Sequence, residues 1–281
     1  MSRKRGSIML KKLLYMTGLI STFGLLSKVY YDTNFIKTAS VTLLTDKLKK
    51  GNNYSILQIS DLHNKTFGKN HQRILKEIKK AKTDLIVITG DLIDRKTTKL
   101  DSVILLVKEM RKVNPNILYI TGNHEWDNPL TSELLLQLKK QHVQVLDDKE
   151  VHMQANEGII HIIGTGRKLA KSEKLIHLLE HANPDNFILL LSHIPNVVKH
   201  LSGRPIDLIL SGHTHGGQIR FPYVGSVVVP DQGVFPAFDQ GIYEWEEGKL
   251  LYIDSGAGTT RLPVRFLNQS QISIIHLIGN R

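Results

Sequence analysis

Five runs rich in Ile, Leu and Val, at 54–59, 85–89, 117–120, 187–191 and 208–210, each stop at a short segment of chemically capable residues. Those segments read Ser60-Asp61-Leu62-His63, Gly90-Asp91-Leu92-Ile93-Asp94, Gly122-Asn123-His124-Glu125, Ser192-His193-Ile194-Pro195 and Gly212-His213-Thr214-His215-Gly216-Gly217. Short, nearly continuous apolar runs predict strands buried on both faces, with active groups at their C-terminal ends. Helical periodicity over 70–82 and 98–113 divides the first three runs, and 131–141 follows the third. Such alternation predicts a layered α/β domain whose active groups converge on one edge of a sheet. Later runs at 227–229, 242–245, 250–253 and 272–277 have turns and no helical pattern between them, which predicts a second, largely antiparallel sheet.

The residue types define the chemistry. Asp61 and His63 stand two apart after a strand-like run, so an extended backbone would point both into one cleft. His213 and His215 repeat that spacing between glycines, which let a backbone approach a crowded centre. Carboxylate, imidazole and amide oxygen suit Mn²⁺, Fe, Zn²⁺ or Co²⁺, and the absence of cysteine excludes a four-cysteine zinc site. In a two-metal hydrolase the ions lie roughly 3.5–4 Å apart and share a carboxylate, for which Asp91 is the natural candidate. Water held between them would lose a proton near neutral pH, and that bridging hydroxide would be the nucleophile.

The motif order D-x-H, GDxxD, GNH[DE], GH, GHxH, from about Ser55 to Gly217, resembles the calcineurin-like metallophosphoesterase superfamily. The resemblance implies a four-layer αββα sandwich of two packed mixed sheets flanked by helices. It implies that Asp61, His63, Asp91 and His215 hold one divalent ion and Asp91, Asn123, His193 and His213 the other. His124 would stabilise phosphoryl charge and protonate the leaving oxygen, with Asp94 orienting its imidazole. The stretch His213 to Pro222, with Gly256-Ala257-Gly258 and Arg261-Leu262-Pro263-Val264-Arg265-Phe266, is similar to a membrane-associated or exported bacterial branch. That branch includes envelope phosphodiesterases and enzymes cleaving the pyrophosphate of UDP-diacylglucosamine. The expected reaction is therefore hydrolysis of a phosphodiester or pyrophosphate, with a glycolipid among the substrates. A lipid would need an apolar groove, for which Phe221, Pro222, Tyr223, Phe235 and Phe238 are candidate walls. The rival readings are a non-catalytic binding module that keeps the metal pocket and a soluble phosphoprotein phosphatase.

Bland readings apply elsewhere. His71, His142, His152, His161, His177, His181, His200 and His276 read as surface or strand residues. Glu125 reads as a solvated acid at a helix start, and Gly164-Thr165-Gly166-Arg167 as an ordinary glycine turn. Arg261 and Arg265 could grip a phosphate, with surface charge an equal alternative.

Of the net charge of +11, five units come from Arg3, Lys4, Arg5, Lys11 and Lys12, and the remaining 32 basic and 26 acidic residues leave +6. No basic stripe with interleaved aromatics points to nucleic acid. Behind the basic cluster, residues 13–27 carry no charge, and Lys28, Tyr30 and Tyr31 close the stretch. The pattern predicts an uncleaved signal anchor with the enzyme on the outer side, a secreted protein being the alternative. The expected organisation is an anchor over 1–31, a tether and first strand over 32–53, and a catalytic domain over 54–281.

Overall fold

The computed structural model describes residues 2–166, 172–230, 232–234, 236–260 and 262–281. Arg167, Phe235 and Arg261 lie outside the described residues. In chain order, helix α1 (Ser2–Asn34) leads into β1 (Lys37–Thr45) and β2 (Asn53–Ile59). Helix α2 (Gln72–Ala81), β3 (Leu85–Thr89), α3 (Asp101–Val113) and β4 (Ile117–Ile120) follow. Next come α4 (Asn123–Trp126), α5 (Thr131–Lys140), β5 (Gln144–Val145), β6 (Lys149–Ala155) and β7 (Gly158–Thr165). Helix α6 (Glu173–Glu180) precedes β8 (Phe187–Ser192) and β9 (Leu208–Ser211). Two small hairpins, β10 (Arg220–Phe221) with β11 (Gly225–Ser226) and β12 (Val228–Val229) with β13 (Gly233–Val234), lead to β14 (Gly241–Glu246), β15 (Lys249–Ile253) and β16 (Gln271–Gly279).

Among the described residues the strands form two large sheets, ordered β1-β16-β2-β3-β4-β5 and β14-β15-β9-β8-β7-β6. Pleating explains how they stack, because successive side chains point to opposite faces. In β2, Leu57 and Ile59 join a core with α2, α3 and α5, while Tyr54 and Ile56 face Ile160, Ile162, Leu189, Leu208 and Leu210 of the other sheet. Ile188, Leu190, Ile209 and Leu251 turn the far side of that sheet towards Leu175 and Leu179 of α6. Helix, sheet, sheet and helix therefore form the four expected layers. A buried polar tie crosses the middle: Gln58 Nε2 donates to Ser211 O at 2.8 Å and to Thr89 Oγ1 at 3.0 Å.

The second sheet differs from expectation. β7, β8, β9 and β15 run parallel to one another, and only the flanking pairs β6–β7 and β14–β15 are antiparallel. The run at 272–277 lies in β16, inserted between β1 and β2 of the first sheet. Sequence order hid this return, since an apolar run carries no label for its sheet. Helix α6 also went unpredicted; its Ser172 cap accepts from Leu175 N, and Leu175 and Leu179 form a one-turn apolar stripe. Gly164 and Thr165 belong to β7 and not to a turn.

At the N-terminus, a 24-residue stretch of α1, Lys11–Asn34, is long and apolar enough to cross a membrane, with a mean hydropathy of 1.2 and no residue of its apolar window buried. α1 continues to Asn34, and β1 pairs with β16 from Lys37 onward, so this part of the 32–53 segment is held in the sheet.

Candidate metal centre

The motifs meet where the C-terminal ends of five parallel strands face each other across the two sheets. β2, β3 and β4 deliver Asp61, Asp91 and Asn123; β8 and β9 deliver His193 and His213. The groups converge at the seam between sheets, not on one edge of a single sheet. Nor do they arrive on extended backbone. Asp61, His63, Asp91, His213 and His215 all have positive φ, between 50° and 72°. This conformation suits Asp and His better than most residues, yet each instance costs about 1 kcal/mol or more, and surrounding structure must hold it. Backbone bonds do so: Asp61 N donates to Gly90 O at 3.1 Å and His63 N to Asp91 O at 3.0 Å. Gly122 is required by crowding, because a Cβ there would lie 2.2 Å from Asp91 Oδ1.

The side chains form two adjoining buried clusters. In one, His63 Nε2 and His215 Nε2 are 3.0 Å apart, and they lie 3.9 and 3.5 Å from Asp61 Oδ1. In the other, His193 Nε2 lies 3.2 Å from Asp91 Oδ2 and 3.1 Å from Asn123 Oδ1, which is 2.8 Å from His213 Nδ1. Asp91 Oδ2 is also 3.7 Å from His63 Nε2, so this carboxylate touches both clusters. Three overlapping groups have ligand atoms close enough for an ion: Asp61, His63 and His215; His63, Asp91 and His124; and Asp91, His193 and His213.

Electrostatics fits a cation. Burial, reinforced by neighbouring imidazole charge, lowers the His215 pKa well below its ordinary value, and burial lowers that of His63 against the pull of Asp91 and Asp61. Both rings are therefore neutral and can offer the lone pairs that a metal needs. Although burial opposes it, His193, His63 and His124 hold the Asp91 carboxyl far below the usual carboxylate range. Burial likewise opposes protonation of His193, yet Asp91 and Asp61 push its pKa up to about 10. The anionic pair thus draws positive charge into a water-poor site, the charge that divalent ions would supply. His193 Nδ1 donates to Thr89 O at 2.8 Å, leaving Nε2 turned inward.

His124 stands beside both clusters. Its backbone N donates to Asp91 Oδ1 at 2.8 Å, its Nδ1 lies 3.2 Å from Asp94 Oδ2, and its Nε2 is 3.9 Å from Asp91 Oδ2. Arg95, which no motif singles out, places Nη1 3.2 Å from His124 Nε2 while its Nε donates to Asp127 at 2.7 Å.

Several residues sit elsewhere than the sequence predicts. Glu125 is fully buried, and its carboxylate accepts from the backbone N of Asp91, Gly122 and Ile93 at 2.9, 2.7 and 2.9 Å. Burial and the Asp91 charge push its pKa up to about 7 against those hydrogen bonds. Arg265 is also fully buried: its Nε donates to Gly258 O at 2.8 Å and its Nη2 to Ser255 O at 2.7 Å. It neither carries surface charge nor reaches for substrate. His71 is buried with Nε2 2.9 Å from Ser102 O. Phe238 packs edge-on against Tyr243 at 5.2 Å beside the core, whereas Phe221 and Tyr223 are exposed.

Residues 54–217 match the family described as calcineurin-like phosphoesterase. An uncharacterized metallophosphoesterase of Aquifex aeolicus is 28% identical over 260 residues, covering 89% of this chain and 95% of that one. An uncharacterized metallophosphoesterase of Bacillus subtilis is 29% identical over 254 residues, covering 88% and 87%. A Bos taurus protein named transmembrane protein with metallophosphoesterase domain is 28% identical over 245 residues, covering 79% of this chain and 52% of that one.

Proposed function

The chain belongs to the calcineurin-like phosphoesterase family, a family of metal-dependent phosphoester hydrolases, and from that premise we propose that it cleaves a phosphodiester or pyrophosphate bond in a membrane or cell-envelope substrate. The observation that carries the reading is the pair of buried clusters joined by Asp91. Asp61, His63, Asp91 and His215 hold one divalent ion in this proposal, and Asp91, Asn123, His193 and His213 the other. Two such ions would neutralise phosphoryl charge and supply a nucleophile at neutral pH. The protein's own part is to fix the ligands at the seam, exclude water and move one proton. His124 gives that proton to the leaving oxygen, and Asp94, 3.2 Å from Nδ1, orients its imidazole together with the Arg95 backbone N–H, 3.3 Å from the same nitrogen.

Support for the membrane setting comes from α1, whose Lys11–Asn34 stretch, charged only at Lys11, Lys12, Lys28 and Asp32, spans about 36 Å at 1.5 Å per residue, against a hydrocarbon layer of about 30 Å. The Bos taurus relative is itself named a transmembrane protein. In our reading α1 anchors the enzyme with its basic end inside and the catalytic domain on the outer face. A UDP-linked glycolipid is the substrate we place first, because its pyrophosphate sits at the bilayer surface.

The test is hydrolysis by the full chain in detergent or nanodiscs, stripped of metal and then given Mn²⁺, Zn²⁺, Fe²⁺ or Co²⁺. Bis(p-nitrophenyl) phosphate, p-nitrophenyl phosphate and a UDP-linked glycolipid are compared, with Asp91→Ala as control. Metal-dependent cleavage of diester or pyrophosphate, lost in the control, supports the proposal. Cleavage of the monoester alone refutes the bond class, and two bound ions without any turnover would favour a binding module.

A further inference from the structure

The C-terminal end of α1 is built into the catalytic domain, on the same loops that close the metal site. Ser270 N donates to Asp32 O at 2.8 Å, Arg265 N to Thr33 Oγ1 at 2.8 Å, Arg73 Nη1 to Asn34 O at 2.9 Å, and Gln269 Nε2 to Phe35 O at 3.1 Å. Lys65 Nζ donates to Thr33 O as well. From there the loop before β16 runs towards the site: Asn268 Nδ2 donates to His215 O at 2.7 Å. The same loop grips the β10–β11 hairpin, since Phe266 N donates to Gln218 O at 3.1 Å and Arg220 N to Phe266 O at 3.0 Å. One hydrogen-bonded collar therefore links the helix end, the hairpin and the metal-site loop.

This collar exposes large apolar side chains. Phe221, Tyr223 and Val224 stand out on the hairpin, and Leu262 and Leu267 on the neighbouring loop. Exposed apolar groups gathered beside a functional site mark a surface that meets something apolar. The position of α1 identifies the occupant. Its uncharged stretch ends at Ser27, and Thr33 lies six residues later, about 9 Å further along a helix rising 1.5 Å per residue. A headgroup layer is roughly 5–8 Å deep on each side, so the collar begins about 1–4 Å beyond it, within reach of a long side chain. Exposed Tyr30 and Tyr31 occupy the intervening turns, the level at which aromatic side chains collect in membranes, and Phe35 stacks on Tyr31 at 5.0 Å.

We propose that the hairpin and the Leu262–Leu267 loop are a membrane-contacting collar, with Phe221, Tyr223, Val224, Leu262 and Leu267 entering the headgroup layer of the bilayer that α1 crosses. The inference rests on the anchor reading above and adds the orientation of the domain. The Asn268 link to His215 O then holds the metal-site loop near the lipid surface.

The chain has no cysteine, so single nitroxide labels can be placed without background. Ile20→Cys, Tyr223→Cys and Leu136→Cys are each labelled in the full chain, reconstituted in phosphatidylethanolamine and phosphatidylglycerol vesicles; all three native side chains are exposed. Electron paramagnetic resonance then reads accessibility to oxygen against a water-soluble nickel complex. We expect an oxygen-dominated signal at 20, a water-like one at 136, and a ratio at 223 severalfold above that at 136. A bilayer signal at 20 with a water-like one at 223 overturns the collar and leaves the anchor standing. A water-like signal at 20 removes the anchor and the collar with it. Dipolar broadening between labels at 223 would show a second copy on the patch, and that too overturns the proposal.

Discussion

Replacing Arg265 tests whether the site depends on a charge hidden behind it. The guanidinium makes two short bonds, to Gly258 O at 2.8 Å and Ser255 O at 2.7 Å, and longer ones of 3.5 Å to His215 O and Asn268 O. Burial pushes its pKa down to about 10 against the pull of Asp61, Asp254 and Asp32, so it remains charged at neutral pH. Arg265→Met fills a similar volume but leaves two buried carbonyls without donors. A hydrogen bond to a charged group contributes about 1.5–3 kcal/mol, so the two short bonds together represent about 3–5 kcal/mol once the relief of the desolvated charge is counted. For a domain of this size each kcal/mol moves the midpoint by roughly 2–4 °C, giving a fall of roughly 6–20 °C in a thermal melt. The loosened backbone is the one that holds a proposed metal ligand, because Gly258 N donates to Asp61 O at 2.6 Å and Ala257 N to Ser60 O at 2.9 Å. Metal titration by calorimetry should therefore show weaker binding of one ion than of the other. A melting temperature within 2 °C of the parent, with both ions bound as before, would refute the reasoning.

Asp91→Ala should lose both ions, measured as metal content by mass spectrometry, whereas retention of one full equivalent would show that this carboxylate is not shared. His124→Ala should keep its metal while turnover of the best substrate falls about 10²–10⁴-fold, the usual contribution of a positioned proton donor; an emptied site would reassign it as a ligand. Glu125→Gln turns an amide NH₂ towards backbone N–H groups and should cost about 1.5–3 kcal/mol in urea unfolding, with little change if the carboxylate were merely solvated. Burial pushes Asp254 up to about 6 from the 3.8 of a free carboxyl, against hydrogen bonds from Ser273, Gly256 and Gln271, so the folded state binds the extra proton. Its share of the stability of the metal-free protein should then fall by about 3 kcal/mol as pH rises from about 4 to 6, so the urea midpoint of Asp254→Asn should decline less over that window than the parent's, the decline from Glu125 remaining.

The layers were legible because apolar continuity reports burial. The run 85–89 lies in a strand whose two faces contact different cores, and no polar residue interrupts it before Thr89. Sheet membership was not legible. β16 alternates buried and half-buried residues much as a strand of either sheet would, and its place between β1 and β2 depends on a chain reversal set by the Arg265 loop. The glycine-flanked motifs identified the residues that meet, but spacing misread how they meet. Two residues apart suggested an extended strand, whereas Asp61 and His63 both adopt left-handed turns stabilised by the backbone of the next motif.

The charged groups behind the site show where sequence reasoning reaches its end. Glu125 and Arg265 looked like surface residues because charge is usually solvated, and the partners that permit their burial are main-chain groups present at every position in the chain. Glu125 collects three N–H donors from the turns carrying Asp91 and Asn123, while Arg265 satisfies carbonyls of the turns beside Asp61 and His215. Each compensates locally for the sign of what it supports. A carboxylate gathers the converging N–H groups on one side of the site, and a guanidinium gathers the converging C=O groups on the other. Such pairing follows from several strand ends meeting at one point, since turns that aim side chains inward leave their backbone dipoles aimed at the residues behind them. A sequence can show the inward-pointing residues through their motif, but the residue that satisfies the backbone behind them becomes visible only once the strands have met.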